Sequence, residues 1–234
     1  MTLKDLAVFA DVKRVVVLAA HPDDLETMCG GTVAKLIAQG VEVISVNCTL
    51  GDIGTTDPAM TRADLVALRS NEAEAAAHVL GLKEVINLGH HDGELVPDLT
   101  LRAQVAQVYR QTQADTVFTF DPYNIGQRHP DHRAVGITAI DAGIPAQMPL
   151  YHPEQLQDGT AVSQVKRIFF FATDKPEILI DVTDVHDHKL AAARAHVCQF
   201  PQGDKDLEWL QKRDKLAGEK IGVTYAEQFR EMRI

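Results

Sequence analysis

The sequence is short of cysteine, of long apolar runs and of clustered positive charge, and each shortage excludes a class of protein. Its three cysteines, Cys29, Cys48 and Cys198, are odd in number and scattered through 234 residues. That pattern excludes a disulfide framework and reads as reduced thiols of a cytoplasmic protein. No apolar stretch reaches the roughly 18 residues that a membrane span needs. The start, MTLKDLAVFADVKR, lacks the apolar core and small-residue cleavage site of a signal peptide. The formal net charge is −10, with no grouping of Lys and Arg, which argues against a nucleic-acid partner. Neither G-x-G-x-x-G nor G-x-x-x-x-G-K follows a candidate strand, so no nucleotide-phosphate loop is expected. There is also no G-x-S-x-G elbow to carry a serine nucleophile.

What is present is an ordinary globular composition, 45% apolar and 24% charged. The length suits one α/β domain spanning residues 1–234. Arg14–Ala19 (RVVVLA) is a β-branched run of the kind buried in a parallel sheet. Further strands are expected at Val41–Asn47, Glu84–Leu88, Thr116–Phe120, Arg167–Ala172 and Glu177–Asp181. Helices are expected at Thr32–Gln39, Arg62–Leu80, Leu99–Gln111 and Val185–Cys198, with Gly40 and Gly81 as C-terminal stops. This alternation predicts a mostly parallel, Rossmann-like sheet covered by helices on both faces. Ala142–Gln164 reads as an irregular excursion, Gly30-Gly31 as a point of close backbone packing, and the stretch beyond about residue 200 carries no motif.

The chemistry-bearing residues fall in loops directly after strands. In an open parallel sheet those loops border the crevice at the carboxyl ends of the strands. One loop reads Ala20-His21-Pro22-Asp23-Asp24 and another ends His129-Pro130-Asp131-His132. His21, Asp24 and His132 would supply two imidazoles and a carboxylate, a three-ligand zinc set with one position left for water. Asp23 beside Asp24 points elsewhere and suits a general base. His129 suits a proton or hydrogen-bond donor to a carbonyl oxygen, and Asp131 suits a partner that orients an imidazole. Asp92, after the third strand, is a candidate acceptor for a substrate hydroxyl. Its neighbours His90 and His91 diverge and make poor metal ligands. Arg69 and Glu72, three apart on a helix, read as a surface ion pair, or Arg69 binds substrate if that helix borders the cleft. His186 and His188 read as solvated surface.

These motifs, in this order, resemble the LmbE/PIG-L family of zinc-dependent deacetylases. The resemblance runs from about residue 14 to 200. It rests on Ala20–Asp24 with Gly30-Gly31-Thr32, Arg69–Glu72, Leu88–Gly93 and His129–His132, with a weaker echo from Lys189 to Gln199. It implies one zinc ion per chain on His21, Asp24 and His132, with Asp23 as general base. His129 would stabilise or protonate the tetrahedral intermediate, and Arg69 and Asp92 would hold the sugar. The implied activity is removal of an N-acetyl group from an N-acetylglucosamine-containing or related amino-sugar substrate. The implied partner is therefore a small molecule, with neither nucleic acid nor membrane, and a homo-oligomer is left open. The rivals are a metal-dependent amidase on a non-sugar substrate, a phosphoesterase, and a metal- or sugar-binding module without turnover.

Overall fold

Arg14–Ala19 forms a strand buried along all but its first residue, and Thr116–Phe120 is buried throughout. Such runs gain most by lying side by side in the middle of a sheet covered on both faces. They do so here, pairing in parallel from Val15↔Thr116 to Val17↔Phe118. The computed structural model describes residues 2–3 and 6–234. In chain order its elements are β1 (Thr2–Leu3), β2 (Arg14–Ala19), α1 (Asp24–Ala38), β3 (Glu42–Thr49), α2 (Arg62–Leu80), β4 (Glu84–His90), α3 (Leu99–Thr112) and β5 (Thr116–Phe120). There follow α4 (Pro130–Asp141), α5 (Gly143–Gln147), β6 (Arg167–Phe171), β7 (Ile178–Asp181), α6 (His186–Arg194), α7 (Glu208–Glu219) and β8 (Ala226–Arg233).

The eight strands form one sheet in the order β1-β7-β8-β6-β5-β2-β3-β4. Every neighbouring pair is parallel except the two made by β8, which runs antiparallel to β6 and to β7. The sheet is therefore Rossmann-like and mostly parallel, as the alternation of elements predicts. The chain steps from β2 outward to β3 and β4, then returns to place β5 on the other side of β2. That reversal opens a crevice at the carboxyl ends of β2 and β5, where the two His-Pro-Asp loops emerge. Among the described residues no helix is long and apolar enough to cross a membrane, and all three cysteines are free thiols.

Helix α2 has the expected bounds. Thr61 accepts a capping hydrogen bond from Asp64 N, and Gly81 takes the left-handed conformation at φ 77°. Helix α1 differs: it begins at Asp24, eight residues before the expected start. The helix is kinked at Cys29 (φ −142°, ψ 15°), just before the glycine pair, but it continues beyond. The second half is re-capped from a distance by Glu227, whose carboxylate accepts from Gly31 N at 2.9 Å and Thr32 N at 2.7 Å. Lys189 Nζ, fully buried, neutralises Glu227 at 2.6 Å and Asp214 at 2.7 Å. The close packing expected at the glycine pair is present: a Cβ on Gly31 would lie 2.8 Å from Val182 Cβ. Gly31→Ala should accordingly cost about 1–3 kcal/mol through overpacking, read as a lower denaturant midpoint. An unchanged midpoint would show that Val182 yields freely.

Two other expectations need correction. Helix α6 is shorter than Val185–Cys198, ending at Arg194. His186 is buried, not solvated, and stacks on the Tyr225 ring with centroids 3.7 Å apart; His188 is exposed. The stretch beyond residue 200 supplies α7 and β8. The excursion at 142–164 is irregular apart from α5 and a short 3-10 turn at Pro153–Leu156.

Candidate active site

The loop after β2 turns sharply at Asp23, a non-glycine residue held at φ 108°. Such strain persists only where the surroundings enforce it. Asp24 enforces part of it, its Oδ2 accepting from Ala20 N at 3.0 Å and His21 N at 2.8 Å. Asp23 occupies the N-cap position of α1 yet makes no capping hydrogen bond. Its carboxylate is instead bound by Arg69 Nη2 at 2.9 Å. Asp23 is thus not spent on holding the helix.

The carboxyl end of β5 brings in the other motif. Pro130 begins α4, so Asp131 and His132 lie in its first turn, with His129 at the N-cap. The His132 ring stacks on Phe120, centroids 3.7 Å apart and 11° from parallel. Its Nε2 lies 3.3 Å from His21 Nδ1 and 3.5 Å from Asp24 Oδ1. His21 Nδ1 lies 3.5 Å from Asp24 Oδ2. A tetrahedral zinc ion with bonds of about 2.0–2.1 Å separates its ligand atoms by about 3.3–3.4 Å. The three expected ligands therefore already stand at metal-binding separations. His21, His129 and His132 form an overlapping trio with donor atoms within 4.8 Å of one another. In the trio including Asp24, Oδ1 faces His132 and Oδ2 faces His21.

Around this trio the charges call for a cation. Asp23, Asp24, Asp92 and Asp131 converge on the site, and Arg69 is the fixed positive group on Asp23. Burial works against a charged ring at His21, yet hydrogen bonds with Asp131, Asp24 and Asp92 outweigh it and raise its pKa to about 12. Burial likewise opposes ionisation of Asp24, but the facing His132 and His21 hold it well below the usual carboxylate range. The same carboxylates that favour a proton on His21 favour a metal ion in its place. Burial, opposed by Arg69, pushes Asp23 up to about 6. Burial and the neighbouring His21 and His132 lower the pKa of His129, leaving it a neutral donor at pH 7.

Asp131 sits where an orienting partner should. Its Oδ2 accepts from Gly93 N at 2.7 Å and lies 3.2 Å from His21 Nε2, while Oδ1 accepts from Leu95 N. Asp92 also faces His21, Oδ1 to Nε2 at 3.1 Å, and lies 3.8 Å from His129 Nε2. Arg69 and Glu72 are buried rather than a surface pair, and they do not bind each other. Arg69 donates to Pro22 O, Gly51 O and Asp23, and Glu72 accepts from Cys198 N and Sγ. His90 and His91 turn away from the trio, to Gln104 and Asp52.

Two contributors escape the sequence reading. Asp52 accepts from Asp92 N at 2.8 Å and from His91 Nδ1 at 2.6 Å, fixing the turn that carries Asp92. It follows β3 at the same sheet edge, so the topological argument that found Asp92 could have found it. His196 and Glu26, both buried and 3.3 Å apart, stand behind Asp23, and His196 favours its ionised form. Their separation of 170 positions along the chain leaves no local signal.

The sequence profile of the PIG-L family, described as GlcNAc-PI de-N-acetylase, matches residues 16–142. The diacetylchitobiose deacetylase of Thermococcus kodakarensis is 33% identical over 224 residues, covering 95% of this chain and 84% of the relative. The structure of N,N'-diacetylchitobiose deacetylase from Pyrococcus horikoshii with an inhibitor superposes with a TM-score of 0.90 at 38% identity, over 96% of this chain and 85% of that one. A 4-carboxy-2-hydroxymuconate hydratase from Pseudomonas putida superposes at 0.78 with 26% identity, over 95% and 97%. The profile match takes in both His-Pro-Asp loops, Arg69 and Asp92, and with the 33%-identical relative it establishes that this chain belongs to the PIG-L family.

Proposed function

We propose that the protein is a zinc-dependent, cytoplasmic N-deacetylase of small N-acetylglucosamine-containing substrates, acting on no nucleic acid or membrane. The observation that carries this reading is the trio His21, Asp24 and His132 at 3.3–3.5 Å, with the carboxylate of Asp23, which caps no helix, adjoining it. A binding module needs the trio but not Asp23. Zinc held by His21, Asp24 and His132 supplies a Lewis acid that polarises an amide carbonyl and makes water nucleophilic at neutral pH. Asp23 accepts the proton of the attacking water and passes it to the departing amine. Arg69 keeps that carboxylate turned into the crevice. His129, neutral and partly exposed, donates to the carbonyl oxygen as charge develops on it. Asp131 fixes the ring of His21 through Nε2. Asp92, buried at the crevice with Oδ1 facing His21 Nε2 at 3.1 Å, accepts from a sugar hydroxyl. Arg69 serves the sugar at one remove, by fixing Asp23 and the Gly51 turn.

The hydratase relative makes addition of water to a carbon–carbon double bond the competing chemistry. The higher identity and closer superposition of the chitobiose deacetylases favour amide hydrolysis. The test is a panel of N-acetylglucosamine conjugates with the zinc-loaded protein, following primary amine and acetate. Equal release of both is expected, and no release across the panel would overturn the reading. Asp92→Ala should lower kcat/KM on the sugar by roughly tenfold or more beyond its effect on a simple acetamide, with metal content unchanged. Equal losses would place Asp92 behind the histidines instead of against substrate.

A further inference from the structure

Helix α7 reaches the start of α1, where Arg213 donates to Thr27 O and lies 3.3 Å from Met28 Sδ. Met28 stands one turn along α1 from Asp24. Beside it opens a cavity of about 170 Å³ whose walls, Met28, Ala172, Trp209, Ala217 and Ala226 among them, are almost wholly apolar. Because β8 runs antiparallel to β6, Ala226 at its start stands at the same sheet edge as Ala172, which follows β6. That edge also carries the crevice after β2 and β5. The loop leading from β5 to His129 fastens the cavity wall, Asn124 Nδ2 donating to Ala172 O at 2.6 Å. Ala172 is held at φ 51°, a left-handed value that alanine keeps only under constraint.

The walls define the ligand. Trp209, the single tryptophan of the chain, is 46% exposed, and the Arg213 guanidinium lies 5.4 Å from its ring centroid. Three alanines share the walls with it, and their small side chains leave the space open. The neighbouring charges are already matched, since Arg213 pairs with Asp214, and Lys189 with Asp214 and Glu227. The cavity therefore has no net charge to offer and suits a neutral group. A dry apolar cavity of about 150 Å³ takes a benzene ring, and indole and thioether both pack well against aromatic rings. A second sugar would leave its hydroxyls facing apolar walls without partners.

We propose that this cavity is a subsite for a neutral aromatic ring carried by the amino-sugar substrate as its aglycone. The link to the sugar rests on the deacetylase reading, whereas affinity for the ring does not. The crevice holds the acetamido sugar, and the pocket under α7 holds the group attached to it.

Trp209 reports on the cavity without any turnover. The zinc-loaded protein is titrated with phenyl and with methyl N-acetyl-β-glucosaminide, following tryptophan emission, and kcat/KM is measured for both. The phenyl glycoside should change the emission saturably and the methyl glycoside should not. The ratio of kcat/KM, phenyl over methyl, should be about tenfold or more, the worth of one buried apolar group. Ala217→Leu fills the cavity and keeps the reporter. It should raise the phenyl midpoint about tenfold or more and lower the kcat/KM ratio to match. Trp209→Leu should lower that ratio as well. No saturable change with the phenyl glycoside, an equal change with both, or an unaltered midpoint in folded Ala217→Leu overturns the site. A saturable change with equal kcat/KM for the two glycosides overturns its role as a subsite. A phenyl-dependent change, lost in Ala217→Leu, in a protein that hydrolyses no amide leaves the aromatic pocket standing and refutes the deacetylase reading. Hydrolysis of both glycosides at equal kcat/KM without any change in emission does the reverse.

Discussion

Asp23→Ala is expected to lower turnover by about two orders of magnitude or more while the protein keeps its metal. The carboxylate caps no helix, and among the described residues its side-chain hydrogen-bonding partner is Arg69. Its loss therefore removes a proton acceptor rather than a structural tie. Alanine does leave the buried guanidinium of Arg69 without its counter-charge, which costs stability. Asp23→Asn is the companion variant, since it retains a hydrogen-bond acceptor for Arg69 but cannot take up a proton at neutral pH. Both should lose turnover alike. The parent should show an acidic limb in kcat/KM at or below about pH 6, because Asp23 accepts a proton only when ionised. Burial sets that value, and a nearby cation lowers it further. Metal loss with activity preserved in either variant would exchange the roles of Asp23 and Asp24.

His132→Ala is expected to fail at the earlier step, by losing the metal. Its Nε2 is the one donor that α4 adds to the pair supplied by the β2 loop, 3.3 Å from His21 Nδ1 and 3.5 Å from Asp24 Oδ1. Removal of a direct ligand should weaken zinc by more than the roughly 10- to 100-fold that an outer partner is worth, and activity should fall to background. The stack on Phe120 is lost as well, so the unfolding midpoint of the metal-free protein separates packing from ligation. His129→Ala is the control: it stands at the rim, 39% exposed in its side chain, and should keep the metal. Zinc retained by His132→Ala and lost from His129→Ala would transfer the ligand role to His129.

The parts of this arrangement legible in the sequence share one property: their cause is local. Arg62–Leu80 is marked at both ends by its own threonine and glycine. The two His-Pro-Asp loops each follow a buried β-branched or aromatic strand, and the crossover rules for parallel sheets bring such loops to one edge. The parts that escaped have distant causes. Helix α1 continues through Gly30-Gly31 because Glu227, 196 positions from Gly31, caps it. Strand β8, AEQFREMR, hides its membership of the sheet because its buried glutamate is neutralised by a lysine on α6. Arg69 and Glu72 have the spacing of a surface pair, and only the fold shows that α2 turns both inward, to partners on the β2 loop and after α6.

The place of β8 in the sheet also sets an order in time. A ribosome delivers this chain from β1 onward, so β2 to β6 can pair while residues 226–233 are still being made. Until β8 arrives, β6 and β7 each keep an open edge, the kind of surface on which nascent chains pair wrongly. Lys189 meanwhile lacks Glu227, and the second half of α1 lacks its cap. That helix carries Asp24, so the proposed metal ligands acquire their fixed spacing only when translation has passed Glu227. A message cut short before that codon yields a product with both His-Pro-Asp loops and no rigid place to hold them.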